Sequence, residues 1–263
     1  MEGQAKPKRY AAGRARALGL ATRGTTHPNR LRRVDRWLVT VHRARLDGAH
    51  LVDLGYGATP VTTVELFDRV RRAAPTATVT GIEIDRERVA AAQPAARDGL
   101  AFVHGGFELA GTRPDVVRAL NVLRQYDEDV AAEAWQTVLA SMAPGGLLVE
   151  GTCDELGRRA AWVTLHDGAP QTLTLAAHLP TLEQPSDLAE RLPKALIHHN
   201  VAGRPVHQLL ADLDAQWARA ASYAPFGPRA RWVEAVTALD HPQLTPERAR
   251  FGELTVPWET VAP

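Results

Sequence analysis

Asp53, Gly55 and Gly57 follow directly on the apolar run Leu51-Val52, and Glu83 closes a second apolar run that begins at Thr78. Glycines in such a turn allow backbone conformations and approach distances that a Cβ would block, so the chain can lie flat against a ligand. A carboxylate at the C-terminal edge of a strand can accept bonds from two vicinal hydroxyls, as the acidic residue of dinucleotide sites does. Pro60 suits the first turn of a helix, where no backbone N–H donor is needed, so a helix from Val61 presents its positive end to the turn. Together these residues point to a nucleotide-like ligand held on backbone.

The elements that must carry them alternate. Strands are expected over 50–54, 78–85, 100–104, 115–120 and 147–150, separated by helices over 61–73, 86–93 and 128–142. Short apolar strands joined through helices argue for a parallel sheet covered on both faces. Residues 161–165 and 171–175 read as two strands around a tight loop, hence an antiparallel edge hairpin. A helix over 30–46 precedes the sheet, with Leu31, Val34, Trp37, Leu38 and Val41 as its apolar stripe, and helical segments at 186–191, 206–221 and 228–239 follow it. The expected architecture is a doubly wound α/β fold with a seven-stranded mixed sheet, an N-terminal helical extension and a C-terminal helical cap. Its divisions are a basic flexible arm (1–29), a core (30–177) and the cap (178–263).

Charge is unevenly spread. Residues 1–45 hold twelve Lys and Arg against two acidic residues, leaving nineteen basic and twenty-eight acidic residues for the remainder. A basic arm of this kind can bind nucleic acid or fold against an acidic body. No apolar run approaches the length of a membrane span and the first residues lack the apolar centre of a secretory signal, so a cytoplasmic protein without a membrane partner is expected. Cys153 is the only cysteine, which excludes an intrachain disulfide and a cysteine-rich zinc site. The ten histidines show no ligand spacing, and no metal is expected.

Asp53-Leu54-Gly55-Tyr56-Gly57 resembles the first motif of class I S-adenosylmethionine (SAM)-dependent methyltransferases. Gly81-Ile82-Glu83-Ile84-Asp85 is similar to that family's second-strand motif, Asn121-Val122-Leu123 to the segment after its fourth strand, and Ala143-Pro144-Gly145-Gly146-Leu147-Leu148-Val149 to the turn into its fifth. The resemblance implies a Rossmann-like fold and SAM as cofactor, with Glu83 on the ribose hydroxyls, Gly55, Tyr56 and Gly57 along the methionine part and Asp53 orienting its ammonium. Ile84 would form an apolar wall for the adenine, with Phe107, Glu108 and Asn121 also against the cofactor. Thr59 and Gly106 depart from the pattern, standing where many members have a glycine and an adenine-binding aspartate. The nicotinamide fingerprint Gly-x-Gly-x-x-Gly fails, because Pro60 occupies its last position.

Methyl transfer from a sulfonium is a direct displacement that needs alignment and exclusion of water, and needs a base only when the nucleophile must lose a proton. Asn121, Tyr126 and Glu150, near expected strand ends, are the catalytic candidates. Arg23, Thr25 and Arg30, before the first helix, are expected to meet cofactor or substrate. His198, His199 and Asn200 read as packing or surface residues, and Trp217, Tyr223, Phe226 and Trp232 as core or the underside of a lid. The acceptor expected is a small molecule. RNA, through the basic residues 1–45, and a non-catalytic SAM-binding protein are the alternatives.

Overall fold

The computed structural model describes residues 27–263. Within them the helices are α1 (Arg32–Val41), α2 (Val61–Ala73), α3 (Arg86–Ala92), α4 (Glu128–Ser141), α5 (Lys194–Ile197), α6 (Pro205–Arg219) and α7 (Pro228–Thr237). The strands are β1 (His50–Leu54), β2 (Thr78–Glu83), β3 (Leu100–His104), β4 (Val116–Leu120), β5 (Leu147–Cys153), β6 (Arg159–His166), β7 (Ala169–Ala177) and β8 (Glu253–Pro257). They form one sheet in the order β3-β2-β1-β4-β5-β6-β7-β8. The first five strands in that order pair in parallel and the last three are antiparallel additions. Chain order reverses between β1 and β4, so a crevice opens at their C-terminal ends, where open α/β sheets bind ligands.

Alternation along the strands decides the two layers. Leu51 and Val79 face α1 and α2, packing with Trp37, Leu38, Leu66 and Val70, while Trp37 meets Trp162 of β6 at 5.4 Å between ring centroids. Val52, Val117, Leu148 and Leu173 face the other way, against Trp135 and Val138 of α4, Leu209 and Leu213 of α6 and Trp232 of α7. Both layers are apolar, which is why the parallel strands read as continuous apolar runs.

Two expectations are corrected. The sheet has eight strands, because residues 253–257 add β8 beside β7, with Thr174 and Thr255 sharing a hydroxyl hydrogen bond of 2.9 Å. The C-terminal segment is therefore not a helical cap alone: it supplies an edge strand and the helices that cover one face. Several element ends also move. The first helix stops at Val41 and continues as a short 3-10 turn over Arg43–Arg45, β5 extends to Cys153, and 185–191 is 3-10 rather than α-helical. Leu192, held extended before Pro193, ends that segment after seven residues. No helix of the described residues is long and apolar enough to cross a membrane.

Candidate functional site at the switch point

Gly55 leaves β1 with φ +71°, and a Cβ there would lie 2.8 Å from Val122 Cγ2 on the neighbouring loop. The turn is closed by Gly55 N–H donating to Ile82 O at 2.7 Å. Gly57, at φ +88°, directs its N–H to Glu83 Oε2 at 2.9 Å. Glu83 Oε1 accepts from the N–H groups of Ile84 (3.0 Å) and Asp85 (3.3 Å), so three backbone donors hold a carboxylate that is only 5% exposed. A carboxylate has about four acceptor positions. The fourth, on Oε2, has only the Arg88 guanidinium near it, at 3.9 Å, and a diol needing two would have to displace Gly57 N–H. Ile84, although apolar, is 47% exposed beside this carboxylate, and Asp85 turns away to cap α3 through the N–H groups of Glu87 and Arg88.

Tyr56 is buried with its ring edge-on to Phe102, and its hydroxyl donates to Arg88 O at 3.4 Å. Burial, then the carboxylates of Glu83 and Asp53, hold that phenol well above its usual pKa. Phe107 and Tyr126 meet edge-on at 5.6 Å, and burial and the charge of Glu83 raise Tyr126 in the same sense. Tyr126 is thus a hydrogen-bond donor facing the Glu83 side of the crevice. Glu108 is exposed and curls back onto Gly106 N–H at 2.7 Å.

Asn121 takes φ +64° at the end of β4, a conformation Asn tolerates better than most residues. Its Oδ1 accepts from Cys153 N–H at 2.9 Å and its Nδ2 donates to Cys153 Sγ at 3.2 Å, so its amide clamps the ends of β4 and β5 together. Arg30 completes this clamp by donating to Asp154 O at 3.0 Å. Of the other residues expected near the cofactor from the N-terminal side, Arg23 and Thr25 lie outside the described residues. Burial pushes the Cys153 thiol above its usual pKa, opposed by Arg30 and Asn121.

Two sequence-derived candidates are not brought to the crevice. Asp53 is 2% exposed and points under the sheet, where Arg118 Nε reaches Oδ1 at 3.0 Å, Arg118 Nη2 reaches Oδ2 at 2.6 Å and Thr63 Oγ1 reaches Oδ2 at 2.7 Å. Arg118 also binds the buried Asp35 of α1, which in turn accepts from Arg69 at 2.7 Å. Burial disfavours the charge of Arg118, but Asp35 and Asp53 outweigh it and hold the guanidinium ionised. Paired to Arg118 and Thr63 and only 2% exposed, Asp53 is out of reach of a ligand's ammonium. Glu150 lies in the middle of β5 because the strand runs three residues further than expected. It is 1% exposed, facing a small cavity of about 10 Å³ lined by Leu54, Phe107, Leu123 and Trp135, room for about one water molecule. Among the described residues neither carboxyl oxygen nor Trp135 Nε1 has a hydrogen-bond partner. Burial pushes Glu150 up to about 8, with the Trp135 indole opposing.

Sequence reasoning missed Arg118, Asp35 and Cys153 as organisers of the site. The available signal was the position of Arg118 inside Val116-Val117-Arg118-Ala119-Leu120, a charge at the centre of an apolar run. Further from the crevice, His199 Nε2 meets Glu128 Oε1 at 2.7 Å and His198 meets Lys194. Trp217 and Trp232 are buried, whereas Tyr223 and Phe226 are exposed. No group of three or more His, Cys, Asp or Glu among the described residues is arranged to hold a metal ion.

No protein-family model and no curated protein matches the chain. Among solved structures, magnesium protoporphyrin IX methyltransferase from Synechocystis PCC 6803, solved with bound SAH, is 20% identical over 58% of this chain and 63% of its own, with a TM-score of 0.37. TrmN from Thermus thermophilus is 19% identical over 59% of this chain and 50% of its own, at 0.37. The cyclopropane synthase MmaA2 from Mycobacterium tuberculosis is 16% identical over 43% and 41%, at 0.35. The chain thus spans less than two thirds of the length of these structures. A likeness of this size concerns the fold alone.

Proposed function

We propose that the protein is a SAM-dependent methyltransferase with its cofactor at the β1–β4 switch point. The observation that carries this reading is the Gly57–Glu83 hydrogen bond. It joins a left-handed glycine turn after β1 to a buried carboxylate at the end of β2, the pairing that lets one ligand rest on backbone and offer a diol to an acid. The residues present fit the cofactor: a left-handed turn at Gly55 and Gly57 that brings bare backbone to the crevice, an acid with an acceptor position on Oε2, and exposed Ile84 as an apolar wall.

When bound, SAM supplies an electrophilic methyl group. Glu83 would hold the ribose hydroxyls and the 55–57 turn the methionine part. Tyr126 stays protonated and donates a hydrogen bond. Asn121, committed to Cys153, fixes the loop that carries Val122 and Tyr126. None of these groups is placed as a base, so the acceptor suited to the site attacks through a lone pair it already has, and Phe107 with Tyr126 excludes water from its path. A small-molecule acceptor is supported by the wall that segment 185–199 builds beside this loop, through Arg124 to Glu190 O (2.7 Å) and His199 to Glu128.

Isothermal titration with SAM tests the reading directly. Saturable binding is expected, with Glu83→Ala weakening it by about 1.5–3 kcal/mol, the range for hydrogen bonds to a charged group. Glu83→Ala binding SAM like the parent protein would remove the proposal.

A further inference from the structure

Beside the switch point, on the same edge of the sheet, lies a second concave surface. Because β6 begins where β5 ends, the turn at 154–158, the end of β7 at His178 and the start of β8 at Glu253 all share the edge that holds Gly55 and Asn121. The turn opens into a groove of about 420 Å³ lined by Asp154, Glu155, Leu156, Arg158, Arg159 and Thr181, a size typical of ligand sites. Asp154 is spent on shaping it, since its carboxylate accepts from the N–H groups of Leu156, Arg158 and Arg159 at 2.8–3.1 Å.

Cations gather around this groove from three separate elements. Arg32, Arg33 and Arg36 come from α1, Arg158 from the turn and Arg250 from the segment before β8, and none of the five has an ion-pair partner among the described residues. Arg33 ties two of these elements together by donating to Phe251 O at 3.1 Å. Arg248 and Arg250 both stack on the Phe251 ring, at 4.7 and 4.8 Å, and that ring is 47% exposed. The field they make is visible at His178, whose pKa is lowered by burial and then by Arg33, Arg158 and Arg32. The acidic interruptions are Asp154 and Glu155 in the groove lining, Glu190 beside Arg159, exposed Glu247, and Glu253, which is bound to Arg248. Arg159 is paired to Asp187 at 3.1 Å and adds less to the field.

We propose that this surface binds single-stranded RNA, with the α1 arginines and Arg158 on successive phosphates, one nucleotide in the groove and a base against the Arg250–Phe251 stack. A single small anion would use one of these elements. Arginines spread over three suit a chain of phosphates, and planar guanidinium and aromatic groups are what unstacked bases lie on. RNA is the strand favoured because the exposed Glu155 carboxylate in the groove lining offers an acceptor for a 2′-hydroxyl. The surface stands independently of methyl transfer, although it would present the strand beside the crevice.

The test is fluorescence anisotropy of the full chain with a ~12-nucleotide mixed-sequence RNA across about 50 to 300 mM salt, in parallel with calorimetry using SAM. Log affinity should fall with log salt with a slope of about −3, roughly 0.7 for each of the four arginines on phosphates. R32A/R36A should lessen the slope by about 1.4 and R158A/R250A by about 0.7, all four being exposed positions, and each should weaken binding at least tenfold, with SAM binding unchanged. The proposal is overturned by absence of RNA binding at the lowest salt, by salt slopes unaltered in both double variants, or by single-stranded DNA of the same sequence binding as tightly. Loss of SAM binding by the parent chain would instead remove the methyltransferase reading and leave this surface standing.

Discussion

Asp53 and Glu150 are both acids on central strands, both essentially sealed from water, yet they face opposite layers and are accommodated in opposite ways. On the α1–α2 side, Asp53 and Asp35 are matched by Arg118 and Arg69, giving a layer in which each buried carboxylate has a cationic partner. On the α4 side, Glu150 has only apolar neighbours and an indole, and is held up at about 8, uncharged at neutral pH. A buried acid is therefore no signature of a site by itself. What distinguishes Glu83, the third acid, is that three backbone donors hold it at hydrogen-bond distance, with the Arg88 guanidinium further off at 3.9 Å, at the mouth of the crevice.

The contrast predicts unequal responses to substitution. Arg118→Met should have the largest effect, about 3–5 kcal/mol lost in urea unfolding, because it strands two buried carboxylates without a partner. Adding D35N and D53N should recover most of that loss, and a single variant costing under about 1 kcal/mol would show that the charges are not matched as described.

Glu150→Gln should act through pH. In the folded chain Glu150 keeps a proton that the unfolded chain releases above about 4.5, so the parent protein loses stability as pH rises from there to about 8 and then levels off. His42, lowered to about 4 chiefly by burial, works in the opposite sense, but its contribution is complete above 6.5. Between pH 6.5 and 8 the Gln variant should therefore gain on the parent by up to about 1.4 kcal/mol per pH unit. A difference independent of pH there would mean that Glu150 is already ionised. Trp135→Phe removes the indole that opposes the shift, and the pH-dependent part of its effect should be the smallest, under about 1 kcal/mol, seen as a decline in stability that continues past pH 8.

Much of the fold was legible because local signals agreed. The boundaries of α2 and β3 follow from Pro60, Pro75 and apolar runs, and the glycine turn and Glu83 were identified by type and spacing. What was lost depends on contacts distant in sequence. Asp53 and Arg118 are direct neighbours in the β1–β4 register, 65 residues apart, so an acid that reads as a ligand contact is claimed by a strand the sequence does not show beside it. β8 was missed because Glu253-Leu254-Thr255-Val256-Pro257 is short and ends in proline. Its polar alternates are buried only because Arg248 and Thr174 meet them. Glu150 was misplaced by three residues of extra strand, since Gly151-Thr152-Cys153 carries too little β signal to announce the extension.

The Arg33 bond to Phe251 O spans 218 residues, and Arg248 returns the contact at Thr40, 208 residues away. During synthesis α1 leaves the ribosome before any strand of the sheet, but part of its outer surface is matched only once residues 248–251 have been made. Parallel β1, β2 and β4 can assemble on α1 early through the Asp35–Arg118 pair, whereas the antiparallel edge must wait. The basic face of α1 is thus exposed to whatever polyanions surround a nascent chain for longer than any other part of this helix.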